Sequence, residues 1–164
     1  MIAAVRVVQL VLTGSVALFA LMAGWNNLVD YDSNWQFVRH VLGMDTIFAD
    51  STLKTRAITS GHVQAAAYWL IIAAEFGTGL LTACGFAMMA ARFRDAGPRF
   101  EAAKAPAVLG IALGLALWFT GFFVVAGEWF AMWQSSQWNG RVSAFQFCVL
   151  LLLSLIVLLR RDPR

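Results

Sequence analysis

Glu75 lies near the middle of a long apolar stretch, roughly His62 to Ala91, that holds no other charge. A carboxylate at membrane depth is costly by a few kcal/mol at least, so such a residue usually faces a bundle interior and is often functional. Gln64, Tyr68, Glu75, Thr78 and Thr82 follow one another at intervals of 4, 7, 3 and 4 residues, which puts them on one helix face. No Lys or Arg occurs at similar depth, so neutral partners are expected, with Trp118, Thr120 and Gln146 the candidates at comparable or shallower depth. Such a constellation can bind a proton or a cation, or anchor a ligand's polar group. The blander alternative is a protonated carboxyl that only joins helices by hydrogen bonds.

His40 and His62 are the only histidines. Haem held between helices would want histidines at membrane depth on facing helices. These two fall in a loop or at its edge instead. They could join Asp30, Asp32, Asp45 or Asp50 at a metal, but the spacing matches no metal signature, and no metal or other cofactor is expected. No phosphate-cradling glycine loop, nucleophile elbow or HExxH motif occurs. The sequence therefore predicts a protein that is not an enzyme.

The elements that must position Glu75 are helices in lipid. Of the 164 residues 60% are hydrophobic and 13% charged, with mean hydropathy +0.72; a soluble domain is typically about 25% charged. Four segments reach the ~20 apolar residues that a span needs, at about 5–28, 63–91, 105–127 and 142–159. The economical fold is an all-α membrane protein, a single domain over 1–164 built as a four-transmembrane-helix bundle. The first apolar run is longer than the ~7–15 residues of a signal peptide core and has no clear cleavage site, so it reads as an uncleaved first helix.

The pI near 9.3 reflects topology rather than nucleic-acid binding. Arg6, Arg92, Arg94, Arg99, Lys104, Arg160, Arg161 and Arg164 fall on one side of the spans; Arg39, Lys54, Arg56 and Arg141 fall on the other. The positive-inside rule puts both termini and the Arg92–Lys104 loop in the cytoplasm. Cys84 and Cys148 lie at different depths within their spans and are not expected to pair.

The long outer loop, about Val29–Gly61, should carry structure of its own. Asp32 or Ser33 could cap a short interfacial helix through Trp35–Leu42, with Gly43 as a stop. Ser51 could cap a further turn. Gly97-Pro98 should break the helices in the short inner loop, and Gly110-x-x-x-Gly114 fits close helix packing. All seven tryptophans fall in the outer half or outer loops: Trp25, Trp35, Trp69, Trp118, Trp129, Trp133 and Trp138. They make either a lopsided interfacial belt or an outward docking surface, to which His40, His62 and Asn139 would belong. Asn26 and Asn27 suit lipid poorly and should turn inward or bond the outer loop.

Several blocks together resemble a bacterial family of predicted small integral membrane proteins, domain of unknown function 2165. They are Gly24-Trp25-Asn26-Asn27 with Asp30-Tyr31, the run Asn34 to Asp45, and Trp133-Gln134-Ser135 with Gln137-Trp138-Asn139-Gly140 and Ala144-Phe145. The resemblance implies the four-span fold and a bacterial inner-membrane location. It implies no activity and no functional residue. The expected role is a non-enzymatic accessory or subunit-type protein, embedded in the bilayer, that binds a membrane protein partner or a second copy through its aromatic outer loops. The alternative is a small transporter or channel-like protein that uses Glu75 as a protonatable intramembrane site.

Overall fold

The computed structural model describes residues 2–161; Arg164, one of the basic residues counted above, lies outside them. Helix α1 covers Ile2–Val29, α2 Tyr31–Gly43, α3 Gly61–Ala91, α4 Gly97–Ala102, α5 Ala105–Leu115 and α6 Arg141–Leu158. Helix α5 continues directly into a π-helical segment, Ala116–Trp129, so that α4, α5 and the π-segment form one long apolar rod. No strand occurs among the described residues. Among the described residues four helices are long and apolar enough to cross a membrane: Ala3–Val29, Gly61–Ala91, Gly97–Trp129 and Arg141–Leu158.

The four rods form a ring in which α1 packs on α3, α3 on α5, α5 with its π-segment on α6, and α6 on α1. Small residues set the closest approach. A Cβ on Gly85 would lie 2.4 Å from the Ala107 backbone nitrogen, and one on Gly110 would lie 2.3 Å from Thr82 Oγ1. The Gly110/Gly114 pair therefore serves the α3–α5 contact within the bundle. The π-segment leaves α3 and packs chiefly on α6. A π-turn bonds i→i+5 and is wider than an α-turn, and the amide of Phe130 donates to Val125 O at 3.0 Å in that pattern.

Both ends of the described chain meet at one end of the ring. Arg6 donates to the carbonyls of Phe93 and Asp95, and its guanidinium lies 4.3 Å from the centroid of the buried Phe100 ring. Gln9 Nε2 is 3.0 Å from Val157 O and 3.1 Å from Arg160 O. Lys104 Nζ donates to Arg160 O at 2.8 Å and pairs with Glu101 at 2.6 Å. The last carbonyls of a helix have no partner within it; here side chains of α1 and of the α4–α5 junction supply donors to those of α6. Arg6 and Lys104 are therefore buried working parts of the fold, not only topology markers facing lipid headgroups.

The opposite end is closed by a cap. Helix α2 begins after a one-residue break at Asp30, earlier than a cap at Asp32 or Ser33 would give, and Ser33 Oγ donates to Asp30 Oδ1 at 2.9 Å. Gly43 ends the helix as expected, but Met44 takes the left-handed turn, with φ 51°. Val38 packs with Tyr68 and Ile72 of α3. Val41 and Met44 pack with Ile47 and with Phe130, Ala131 and Met132 from the loop before α6. The two long loops thus share a second small core. The chain between α3 and α5 also differs from expectation: Pro98 in the first turn starts α4 rather than only breaking a helix, since proline lacks an N–H that the first turn does not use.

Candidate functional site

Every member of the α3 polar stripe is buried: Gln64, Tyr68, Glu75, Thr78 and Thr82. Their common phase turns them to the interior because the remaining faces of α3 are apolar. They do different jobs along its length. Gln64 Nε2 donates to Ile58 O at 2.7 Å and ties the loop to the helix. Tyr68 donates its hydroxyl to Asn27 O at 3.0 Å and lies 3.3 Å from Tyr31 O, at the junction of α1 and α2. Thr82 donates to Thr78 O in its own helix at 2.7 Å. Thr78 Oγ1 is buried with no hydrogen-bond partner among the described residues.

Glu75 is 4% exposed, and Asn27 Nδ2 donates to its Oε2 at 2.6 Å. That carboxylate lines a cavity of about 310 Å³ between α1, α2, α3, the π-segment and α6. Asn26, Asn34 and Ser143 contribute polar groups, and Trp118, Phe122 and Phe147 contribute aromatic walls. Asn26, Asn34 and Ser143 are exposed, so the cavity mouth lies between α1 and α6 beneath α2. Trp118 is held by Phe19 and Phe147, with ring centroids 5.3 and 5.6 Å away. Glu75 and Tyr68 are the titratable groups of the lining among the described residues, and Glu75 is its one carboxyl group. A concave site with aromatic walls and few convergent polar groups is the usual form of a small-ligand site.

Two expected neighbours of Glu75 are not there. Gln146 is exposed, because α6 buries Ala144, Cys148, Leu151, Ser154 and Leu158, and position 146 falls on the opposite side. Thr120 is exposed as well, because the π-segment changes the angular step per residue beyond Leu115. Asn27 takes their place. Its inward direction was readable from its phase with Thr13, Val16, Ala20 and Gly24 of α1, all buried. Asn34, Ser143 and Phe147 carried no comparable signal, since they meet only through the tertiary fold.

The aromatic loop residues divide. His40 Nδ1 pairs with Asp45 at 2.8 Å and its ring stacks on Trp138 with centroids 4.8 Å apart. Trp35 packs on Tyr31 and Tyr68. Asn139 Oδ1 accepts from the Arg141 amide at 3.2 Å, at the start of α6. His62 is exposed, and no three His, Cys, Asp or Glu side chains converge among the described residues. Trp129 and Trp133 stay exposed, with Arg56 over Trp129 at 4.5 Å and Phe48 edge-on to Trp133 at 5.9 Å. Trp25 and Trp69 are exposed on α1 and α3. Cys84 and Cys148 are free thiols.

Four apolar rods of spanning length around an inward polar stripe define a multi-pass integral membrane protein, which sits in a lipid bilayer. The chain belongs to the family described as predicted small integral membrane protein (DUF2165), which matches residues 5–161. No curated protein and no solved structure matches it.

Proposed function

We propose that the chain is a non-enzymatic membrane protein that binds a small ligand carrying a positive or hydrogen-bond-donating group in the cavity beneath α2, with Glu75 as its anchor. This is the ligand-binding step of a small transporter or channel-like protein. The observation that carries the reading is a single carboxylate, deep in an apolar helix, that borders a cavity with a polar mouth and meets one side-chain donor there, Asn27. A charge placed at this depth without a structural cation is expensive, which favours a functional reason for keeping it. On this reading the α2 end faces outward across a bacterial inner membrane and both termini face the cytoplasm, as the distribution of basic residues suggests.

A second reading is an accessory protein that docks a membrane partner or a second copy through its loops. Exposed Trp129 and Trp133 favour it. Against it, Trp35, Trp138 and His40 are engaged in contacts within the cap.

The test is equilibrium binding of a short primary amine, butylamine, to the protein in nanodiscs, read by tryptophan fluorescence. Binding should weaken on acidification, as the carboxylate takes up a proton and loses its charge. Glu75→Gln should weaken it by about tenfold or more and abolish the pH dependence. Binding that is unchanged in Glu75→Gln would remove this reading, and a stoichiometric partner copurified from native membranes would favour the second.

A further inference from the structure

A second cavity, of about 380 Å³, lies on the other side of Phe37 and Phe122. It is lined by apolar groups of α2, α3, α5 and the π-segment, among them Val41, Leu70, Ala74, Leu113 and Gly121. It exists because α5 hugs α3 through Gly85 and Gly110, whereas the π-segment turns away towards α6. Leu70 is 71% exposed and Val125 42%, so this cavity opens between α3 and the π-segment, on the flank opposite the polar mouth. Those flanks belong to spanning helices, so the opening faces lipid chains.

The two cavities share Phe37, Val38, Ile71 and Phe122 as a common wall, and α2 roofs both. Phe37 and Phe122 form a stacked pair with ring centroids 6.2 Å apart. Both rings are half-buried, and Phe37 also packs edge-on against Trp138 with centroids 6.2 Å apart. One side of the wall therefore offers a carboxylate, amides and aromatic faces, and the other offers only hydrocarbon. Among the described residues no Lys or Arg lines either cavity.

We infer that, within the Glu75 reading above, the ligand class is a single-chain amphiphilic amine whose ammonium head pairs with Glu75 in the polar cavity and whose chain passes the Phe37–Phe122 pair into the lipid-facing cavity. The charge pattern selects the head: an ammonium gains an ion pair with Glu75 and the π-faces of Trp118, Phe122 and Phe147, whereas a phosphate or sulfate head meets a carboxylate with no cation to offset it. The apolar opening selects the chain, because a ligand dissolved in the bilayer can enter there without crossing water. A short amine fills one cavity; only an amphiphile uses both.

The experiment uses the full chain in nanodiscs with a long-chain primary amine that carries a photoactivatable diazirine at its tail end, followed by peptide mapping. Labelling is expected on the α3 and α5/π-segment residues of the apolar cavity. Excess dodecylamine should suppress it by about tenfold or more, and dodecyl sulfate should not, since only the amine pairs with the carboxylate. Glu75→Gln should lose most of this labelling. Gly121→Leu supplies an independent variant: a Cβ there has nothing closer than 3.7 Å, so leucine can grow into the cavity. It should block tail labelling and leave butylamine binding intact. Three results overturn the inference: labelling spread evenly over lipid-facing residues, equal suppression by the sulfate, or labelling that Glu75→Gln does not change. If butylamine still binds in a Glu75-dependent way while the tail labels no cavity residue, the amphiphile is excluded and the small-ligand reading stands. If neither amine depends on Glu75, both fall.

Discussion

Asn27 Nδ2 lies 2.6 Å from Glu75 Oε2 and thereby fastens the end of α1 to the middle of α3. The same residue accepts the Tyr68 hydroxyl through its backbone carbonyl at 3.0 Å. One asparagine thus holds the carboxylate by its side chain and the α1–α2 corner by its main chain.

Asn27→Ala removes the donor to a buried carboxylate but leaves the Tyr68 bond, which needs only the backbone. Polar bonds between membrane helices average about 0.6 kcal/mol. An unsatisfied buried charged group costs more, so the expected loss is about 1–3 kcal/mol of unfolding free energy. Reversible unfolding in mixed micelles measures it. In the double variant with Glu75→Gln the loss should shrink, because a neutral amide can find other partners, and additive losses would show that the two residues do not interact.

Steric contact between α3 and α5 leads to a sharper expectation. Gly110→Ala would put a methyl carbon 2.3 Å from Thr82 Oγ1 and 2.8 Å from its backbone nitrogen. Gly85→Ala would put one 2.4 Å from the Ala107 nitrogen. Each should cost about 1–3 kcal/mol or more by overpacking. Gly121→Ala, with its nearest atom at 3.7 Å, should cost little and serves as the control. A thermal melt that ranks Gly121→Ala with the other two would contradict the observed helix spacing.

The burial of the α3 stripe was legible in the sequence, because five polar residues in an otherwise apolar helix can keep one phase only by facing inward. The four spans were legible for the same reason of composition. Partners across the bundle were not. Helix α6 carries few polar residues and long apolar runs on every side, so its sequence marks no buried face, and depth alone makes Gln146 a candidate neighbour of Glu75. Depth alone makes Thr120 a candidate neighbour of Glu75, but depth does not give direction, and the chain widens to a π-helix after Leu115. The cap was half legible: Trp35 and Val38 show an apolar face on α2, but the shared core of Val41, Met44 and Met132 joins residues far apart in the chain.

Lys104 gives a prediction at the other end. Its ammonium bonds Arg160 O at 2.8 Å and Glu101 at 2.6 Å, while its side chain is only 5% exposed. Lys104→Met keeps the stem and deletes both contacts. The last turn of α6 should then fray, with amide exchange over Leu155–Arg160 accelerating about tenfold, the equivalent of roughly 1.4 kcal/mol of local stability. Unchanged exchange there would mean that the ammonium does not hold the helix end.

The gathering of Arg6, Phe93, Lys104 and Arg160 at one end makes the topology testable without a ligand. Reporter fusions to the two termini should give the same compartment, and the distribution of Arg and Lys predicts that it is the cytoplasm. Opposite signals from the two ends would be incompatible with four crossings.

Thr78 makes the cleanest test of whether the stripe is built for stability alone. Its hydroxyl is fully buried and has no partner among the described residues, and its methyl carbon would lie 3.1 Å from a Cβ on Gly114. Thr78→Val keeps the shape and replaces an unsatisfied hydroxyl with a methyl group. A buried polar group without a bond costs about 1–3 kcal/mol relative to an apolar one of the same shape, so this variant should be as stable as the parent or more so. Thr82→Val is the comparison, because its hydroxyl does bond, to Thr78 O at 2.7 Å. If Thr78→Val is instead the less stable of the two in the same melt, the Thr78 hydroxyl has a partner in the membrane, and the polar interior extends one turn beyond Glu75.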